Sequence, residues 1–347
     1  MKIAVYAISK NEEKFVKRFC ESAKDADIIL IADTGSTDDT VPLAKDCGAI
    51  VHEIFVSPWR FDNARNTALS LLPADVDVCV SMDLDEELQP NWRQSIERLW
   101  TGDTNRIQHM FDNQGGLVFT VSRVHARTGF SWRYPCHEYV TVDPRSTEHL
   151  AVTDEIYMRH DPDPTKSRGQ YMPMLEMATK ENPSCSRSQF YYARELSYHK
   201  RLAECKEAFL KFLGMPGATW FVERSYAMRA IGSVEQLLGN DGTPWFHKAI
   251  AEDTGAREPW LELANVYYHK QDWSRCYLSA KMALEIKEKA AWHTTDPKCW
   301  TWPPHDFAAL AAHHLGLKQE SIKHGQLAVD FDPTNERLIK NLEFYKE

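Results

Sequence analysis

Several features that define other protein classes are missing from this sequence, and each absence narrows the choice. No segment approaches the ~20 consecutive apolar residues that a membrane helix requires, so we expect no membrane insertion. The first apolar segment reaches charged residues too early for a signal peptide, which favours a cytoplasmic protein. The eight cysteines contain no Cys-x-x-Cys pair, so a zinc ribbon or a redox motif is disfavoured. We expect buried free thiols in a reducing compartment.

An excess of positive charge is also missing. The formal net charge is -9, which argues against general electrostatic binding of nucleic acid and leaves only a local basic groove open. Hydrophobic residues make up 43% and charged residues 26% of the 347 residues, as in an ordinary globular protein. This length predicts two domains.

The first hundred residues alternate between strand and helix patterns. Strands are predicted at about 3–8, 27–33, 49–55 and 76–82. The segment Ser9-Lys10-Asn11-Glu12 matches a capping box for the first helix, and Gly48 is a plausible C-cap of the second. Continuous apolar strands separated by helices indicate a parallel sheet that is covered on both faces.

The pattern changes twice in the remaining chain. Residues 101–160 contain short strand-like segments such as Leu117–Val121 and Tyr139–Val142, and Pro162 and Pro164 indicate a hinge. Beyond residue 168 the sequence is helical and repeats at about twice the ~34-residue tetratricopeptide period, although an ordinary helical bundle is the alternative. Helix pairs are predicted near 187–213, 221–251, 257–286 and 305–331, with a closing helix after 332. We therefore expect domains at 1–165 and 166–347.

Polar residues follow three of the predicted strands, and Ser9–Glu12 follow the first of them. Asp33 ends the second strand, and Asp83 and Asp85 follow the fourth. Ligands of an open parallel sheet bind beyond the carboxyl ends of its strands. Two carboxylates at positions i and i+2 there suit Mg²⁺ or Mn²⁺, and such an ion neutralises a departing diphosphate.

Taken together, these segments resemble a known family. The matching segments are Ser9–Glu12, Asp33–Asp38, Ala64–Asn66, Met82–Asp85, Trp132, His137-Glu138 and Arg159-His160. In this combination the chain resembles the inverting family 2 glycosyltransferases of GT-A fold, and in particular a branch in which tetratricopeptide repeats follow the catalytic domain. The resemblance implies an α/β class: a GT-A nucleotide-sugar-binding domain with a mostly parallel, Rossmann-like sheet, then an all-α repeat domain.

The resemblance also assigns roles to individual residues. It implies a nucleotide-diphosphate sugar as donor, with a UDP-sugar expected, and Mn²⁺ or Mg²⁺ as cofactor. The residues implied to bind the nucleotide are Ala7, Glu12, Asp33, Arg65 and Asp83. The residues implied to hold the metal are Asp85, Asp83 and His160.

An inverting transfer needs a base that takes a proton from the acceptor. Family members often use an aspartate, whereas this chain offers His137-Glu138. We expect Glu138 to be the base and His137 to orient the substrate, with the two roles open to exchange. Trp132 and Tyr134 are expected to stack on a sugar. Trp59 either closes over the donor or, more typically for such a residue, packs within its loop.

The acceptor is not identified by the sequence. A peptide side chain, a saccharide and a modified nucleic-acid base are all open, and the net negative charge disfavours the last. The repeats predict a surface for the acceptor or for a homodimer. Two other classes compete: a nucleotidyltransferase, which normally has a glycine-rich basic loop after the first strand, and a repeat scaffold with a degenerate transferase domain.

Overall fold

The computed structural model of the chain describes residues 1–113, 117–163 and 169–347, which form two units that divide between residues 183 and 184. The boundary expected after residue 165 falls outside the described residues. The observed division is later because helix α5 (Tyr171–Glu181) packs on the first unit. There the Tyr171 ring lies 6.3 Å from that of Phe61, and Glu181 accepts hydrogen bonds from Arg60.

A sheet of eight strands organises the first unit, in the order β3-β2-β1-β4-β7-β6-β10-β5. The strands are β1 (Ile3–Ser9), β2 (Ile28–Asp33), β3 (Ile50–Glu53), β4 (Val78–Ser81), β5 (Glu86–Leu88), β6 (Arg106–Asp112), β7 (Val118–Ala126) and β10 (Leu150–His160). Strands β8 (Phe130–Arg133) and β9 (Tyr139–Val142) form a separate antiparallel pair. The predicted alternation of strands and helices is confirmed, because β1 to β4 are mutually parallel.

Helices cover this parallel half of the sheet. They are α1 (Glu13–Ser22), α2 (Thr40–Asp46) and α3 (Phe61–Leu71), whereas α4 (Trp92–Leu99) packs against β10. Buried side chains of β1 contribute to apolar clusters on both sides of the sheet, which explains why its sequence does not alternate between apolar and polar residues. The two halves of the sheet are joined by the antiparallel pairing of β4 with β7.

The capping box expected at the start of α1 is wrong. Ser9 lies inside β1, and its hydroxyl donates to Asp33 at 2.8 Å, so it is not available to cap the helix. Helix α1 begins at Glu13, after Glu12, which makes no side-chain cap. The cap expected at Gly48 is consistent with the structure, because Gly48 follows α2 with a φ of +83°, a conformation that favours glycine.

The second unit consists of helix pairs followed by one closing helix. The helices are α6 (Ser186–Tyr198), α7 (Leu202–Leu213), α8 (Phe221–Leu237), α9 (Thr243–Glu252), α10 (Glu258–His269), α11 (Trp273–Glu285), α12 (Pro303–His314), α13 (Lys318–Phe331) and α14 (Glu336–Lys346). Each of the four predicted pairs is present, and successive helices pack on one another. Small residues that recur at equivalent positions, such as Ala193 and Ala264, are fully buried and let the helices approach closely. In the part of the chain that the structure describes, no helix is both long and apolar enough to span a bilayer.

Candidate active site

The carboxyl ends of β1, β2 and β4 meet at one edge of the sheet, as in other open α/β sheets that bind ligands. Asp33 closes β2, and Asp83 and Asp85 lie just beyond β4. Helix α3 brings Arg65 to the same place from the side. The topology therefore assembles most of the residues that the sequence singled out.

Asp33 holds the turn that follows β2. Its carboxylate accepts hydrogen bonds from the hydroxyls of Ser9 and Ser36 and from the backbone N–H groups of Gly35 and Ser36, at 2.5 to 2.9 Å. Burial alone would raise the pKa of Asp33, but these donors outweigh it and hold the pKa below the usual value. The residue is thus an ionised, fully bonded anchor of the loop.

Two further residues that were expected to bind the nucleotide, Ala7 and Glu12, also lie near the ends of β1 and α1. Ala7 is 1% exposed, and its side chain packs in the apolar core of the sheet, so it does not line an open pocket. Glu12 precedes α1 and is half-buried, and its backbone N–H donates to Thr40 at 2.7 Å.

Arg65 lies at the centre of the site. Its Nε donates to Glu138 and its Nη2 to Asp83, both at 2.7 Å. Burial would lower the pKa of this guanidinium, but the two carboxylates raise it, so it stays charged. The guanidinium lies over the Trp132 ring at 4.9 Å, and its Nη1 is buried without a hydrogen-bond partner among the described residues. An orphaned donor on a buried cation is costly unless a ligand satisfies it.

A second arginine extends this network. Arg123 on β7 donates to both carboxylate oxygens of Glu86 at 2.5 and 2.6 Å and lies 3.7 Å from Asp83. Burial raises the pKa of Glu86 to about 7 despite Arg123, whereas Arg65 and Arg123 overcome the effect of burial on Asp83 and lower its pKa to about 2. Charges of alternating sign therefore run from Glu138 through Arg65, Asp83 and Arg123 to Glu86.

Asp85 and His160 form the part of the site with metal-binding chemistry. His160 Nε2 lies 3.3 Å from Asp85 Oδ2, and its Nδ1 lies 3.0 Å from Asn113 Oδ1. Burial would lower the pKa of His160, but the hydrogen bond to Asp85 and the nearby carboxylates raise it, so Nε2 carries a proton that it donates to Asp85. A metal ion bound here would take the place of that proton.

The metal set expected from the sequence is only partly assembled. Within residues 1–113, 117–163 and 169–347 no cluster of three or more His, Cys, Asp or Glu side chains is arranged to hold a metal ion. Asp83 faces Arg65 and Arg123 instead of Asp85. A carboxylate and an imidazole fit a divalent cation whose other positions are filled by phosphate oxygens and water.

The His137-Glu138 segment is held in an unusual backbone conformation. Tyr134 and His137 both have positive φ values, 81° and 53°, which are rare for residues other than glycine and are typical of functional sites. The His137 ring stacks on Tyr171 of α5 with centroids 5.8 Å apart. The structure thus places Glu138, which directly follows His137 in the chain, against Arg65.

One of the aromatic predictions, that for Trp132, needs correction. Trp132 is 4% exposed and donates from Nε1 to the Tyr6 hydroxyl at 2.7 Å, so it supports the core and presents no face for a sugar. Tyr134 stacks on Tyr139, with centroids 5.5 Å apart. Trp59 packs edge-on against Phe61 at 5.3 Å, which agrees with the loop-packing alternative.

Four residues at the site were not predicted from the sequence: Glu86, Asn113, Arg123 and Tyr171. Glu86 directly follows Asp85, so a run of acidic residues was the available signal. Arg123 and Tyr171 lie far from the motifs along the chain and reach the site only through the pairing of β7 and the packing of α5.

Comparison with known proteins supports the two-part organisation. Residues 5–132, within the first unit, match the family model of glycosyl transferase family 2. An uncharacterised glycosyltransferase of Rickettsia prowazekii is 34% identical over 102 residues, which cover 29% of this chain and 33% of that protein. A TPR repeat-containing protein of Synechococcus elongatus is 30% identical over 130 residues, which cover 37% of this chain and 28% of that protein. The chain therefore spans about a third of these relatives.

Two solved structures show a limited likeness to the chain. Glucosyl-3-phosphoglycerate synthase from Mycobacterium tuberculosis, in complex with Mn²⁺ and UDP, shares 25% identity over 33% of this chain and 45% of its own, with a TM-score of 0.28. MamA shares 15% identity over 48% of this chain and 89% of its own, with a TM-score of 0.38.

Proposed function

We propose that the first unit transfers a sugar from a nucleotide-diphosphate sugar, expected to be a UDP-sugar, to an acceptor with inversion at the anomeric carbon. The match of residues 5–132 to a glycosyltransferase family supports the reaction class. The observation that carries the proposal is the convergence of Arg65, Asp83, Asp85 and Glu138 at the carboxyl edge of the sheet. A repeat scaffold would not need this network.

Each charged group has a distinct part in the proposal. Asp85 and His160 would hold a divalent cation, which supplies charge neutralisation to the departing diphosphate. The unpartnered Nη1 of Arg65 is available to a phosphate oxygen, and a planar guanidinium suits that contact. Asp83 holds the guanidinium groups of Arg65 and Arg123 in place. Asp33 shapes the β2–α2 turn that we expect to border the base.

Glu138 is the proposed base. Its Oε1 is held by Arg65, which fixes the carboxylate, and its side chain is 11% exposed. The second carboxylate oxygen is then oriented toward the acceptor proton. His137, stacked on Tyr171, is proposed to orient the acceptor beside it. The acceptor itself is a peptide side chain, a saccharide or, less favoured by the net charge, a nucleic-acid base.

The first experiment measures donor binding. Thermal shifts of the full chain are compared for UDP, GDP, CDP, dTDP and ADP with and without Mn²⁺, for wild type, Asp85→Asn and the exposed control Asp103→Asn. A ligand that binds only the native state raises the midpoint by mass action. We expect one nucleotide to give a Mn²⁺-dependent shift that Asp85→Asn removes and Asp103→Asn keeps. Absence of a shift with every nucleotide would favour the scaffold alternative.

The second experiment identifies the reaction. With the nucleotide sugar selected by the first experiment, turnover should release the nucleoside diphosphate, whereas release of pyrophosphate would indicate a nucleotidyltransferase. Glu138→Gln should lower kcat by roughly 10²- to 10⁴-fold, the usual contribution of a general base, while donor binding persists. If His137→Gln has this effect and Glu138→Gln does not, the two roles are exchanged.

A further inference from the structure

The regular helix pairs of the second unit are interrupted by one long connection. Residues 287–302, which we call the insert, join α11 to α12 and contain only one short 3₁₀ turn, Pro297–Trp300. The other connections between helices of this unit are short turns. Nothing in the proposed transferase reaction uses this segment, and the inference below is independent of that reaction.

The insert does not project into solvent but lies back across the first helices of the pairs. The His293 ring packs 6.1 Å from Tyr191 on α6 and 5.5 Å from Trp220 at the start of α8. Trp292 packs edge-on against the same Trp220 at 5.7 Å. The tip of the insert therefore contacts the first and second helix pairs, although it follows the third pair in the chain.

The ends of the insert are fixed more firmly than its tip. Arg257, which is buried, donates to the backbone oxygen of Ile286 at 2.6 and 3.0 Å and to that of Cys299 at 3.3 Å. Near the second end, the backbone N–H of Asp296 donates to Glu258 on α10 at 2.7 Å. One guanidinium thus joins the two ends and leaves residues 288–295 as a loop seated on α6, α8 and α10.

The seat of this loop is incompletely satisfied. Among the described residues, Glu223 Oε1 on α8 is buried without a hydrogen-bond partner, as are His293 Nε2 and Trp300 Nε1 on the insert. The distance of 3.9 Å between His293 Nε2 and Glu223 Oε1 is too long for a hydrogen bond. Glu223 is only 7% exposed. A separate cavity of about 30 Å³, lined by Tyr226 and Arg229 of α8 and by Trp292 of the insert, has room for a water molecule. A buried carboxylate oxygen without a partner is unfavourable, so a peptide that donates a hydrogen bond to Glu223 would make a contact that the insert does not make.

We propose that the face formed by α6, α8 and α10 binds an extended polypeptide, and that the insert is its built-in occupant. The chemistry of that polypeptide follows from what now fills the site: an aromatic side chain against Trp220, followed by a hydrogen-bonding side chain opposite Glu223. Because the insert is tethered, its effective concentration is about millimolar, and a free peptide must compete with it.

The test separates the face from its occupant. In the full chain, residues 289–295 are replaced by a Gly/Ser linker of equal length, and a labelled peptide of residues 287–302 is added under reducing conditions. We expect this variant to bind the peptide with a Kd of ~100 µM or tighter, and wild type to bind it at least about tenfold more weakly because its own insert competes. Peptides carrying Trp292→Ala or His293→Ala should bind the variant at least about fivefold more weakly. A folded variant that does not bind the peptide, or binds the altered peptides equally well, overturns the proposal.

A second measurement does not depend on the linker variant folding. Hydrogen exchange of the wild-type insert should be faster than that of α8 and α10, and Trp220→Ala should speed it further. The matched control is Trp245→Ala on α9, where the ring packs against Lys248 and not against the insert. If the insert is as protected as the helices in wild type, and Trp220→Ala leaves it so, the insert is a permanent part of the core and the proposal fails.

Discussion

Arg65 and Glu138 are joined by a hydrogen bond of 2.7 Å between Nε and Oε1, although 73 residues separate them in the chain. The same guanidinium holds Asp83, so two carboxylates depend on one buried cation. The pair links helix α3 to the loop before β9. The conformation of the proposed base and the stability of the first unit therefore rest on the same residue.

Removing this cation should destabilise the first unit. Arg65→Met leaves Asp83 and Glu138 without their partner, and breaking a buried ion pair from one side costs about 3–5 kcal/mol. We expect a loss of that size in the free energy of unfolding, measured by urea denaturation of the full chain. The control is Arg145→Met, which removes an exposed ion pair with Asp143 and should change nothing measurable. Equal stability of the two variants would show that the Arg65 network is not structural.

Tyr171 should influence turnover through His137. Tyr171→Ala removes the stacked ring, and an aromatic pair contributes about 0.5–1.5 kcal/mol beyond its burial. If that contribution orients His137 in the transition state, kcat falls by about 2- to 10-fold while the donor-induced thermal shift persists. Tyr171→Phe keeps the ring and should restore kcat to within about twofold of wild type. An unchanged kcat in Tyr171→Ala would contradict a positioning role.

Asp33 should be required for the stability of the turn after β2. Asp33→Asn places an amide where four donors now converge, so at least one buried N–H or hydroxyl loses its acceptor. We expect a loss of about 1–3 kcal/mol in the free energy of unfolding. Asp39→Asn is the matched control, because Asp39 is exposed and makes no side-chain cap at the start of α2. Similar unfolding curves for both variants would argue against this account of Asp33.

The parallel half of the fold was predictable because its signals are local. Strands β1, β2 and β4 are continuous apolar runs, and each is followed by polar residues at the edge where ligands bind. The helix pairs of the second unit were predictable for a similar reason, since small buried residues recur at a fixed period. The strand β6 was harder, because its burial alternates residue by residue and its pairing with β7 and β10 joins distant segments.

Several residues that the sequence singled out lie at the site, but their hydrogen-bond and ion-pair partners were not predicted. Asp83 was grouped with Asp85 because they lie two positions apart in the sequence, yet its carboxylate pairs with the buried Arg65 on α3 and lies near the half-buried Arg123 on β7, whereas Asp85 contacts His160. The prediction of a capping box was wrong for a similar reason, because the Ser9 hydroxyl donates its hydrogen bond to Asp33. Choices among competing partners of one polar group depend on tertiary geometry, which a linear motif does not contain.

Stability should fall as the pH drops through the range set by two buried histidines. His125 is fully buried: its Nε2 accepts from the Tyr6 hydroxyl at 2.9 Å, and its Nδ1 donates to the backbone oxygen of Ala126 at 2.8 Å. Burial lowers the pKa of His125 from 6.5 to about 4, and burial does the same for His109 on β6. The neutral ring is thus the native form, because protonation would break the bond from Tyr6.

The sign of the pH effect follows from these values. Above pH 6.5 both histidines are neutral in the folded and unfolded states, so they do not change the free energy of unfolding. Between pH 6.5 and about 4 the unfolded chain binds protons that the native state does not bind, so the free energy of unfolding falls. Each histidine should then lower the free energy of unfolding by up to about 3 kcal/mol. His125→Gln, which retains an acceptor and a donor, should remove roughly half of the contribution that His109 and His125 make to the pH dependence of urea unfolding at pH 7, 6 and 5. The contribution of His293, His305 and His324, whose pKa values burial also lowers, should remain. The exposed control His52→Gln should leave the pH dependence intact, and an unchanged slope in His125→Gln would show that other groups dominate acid unfolding.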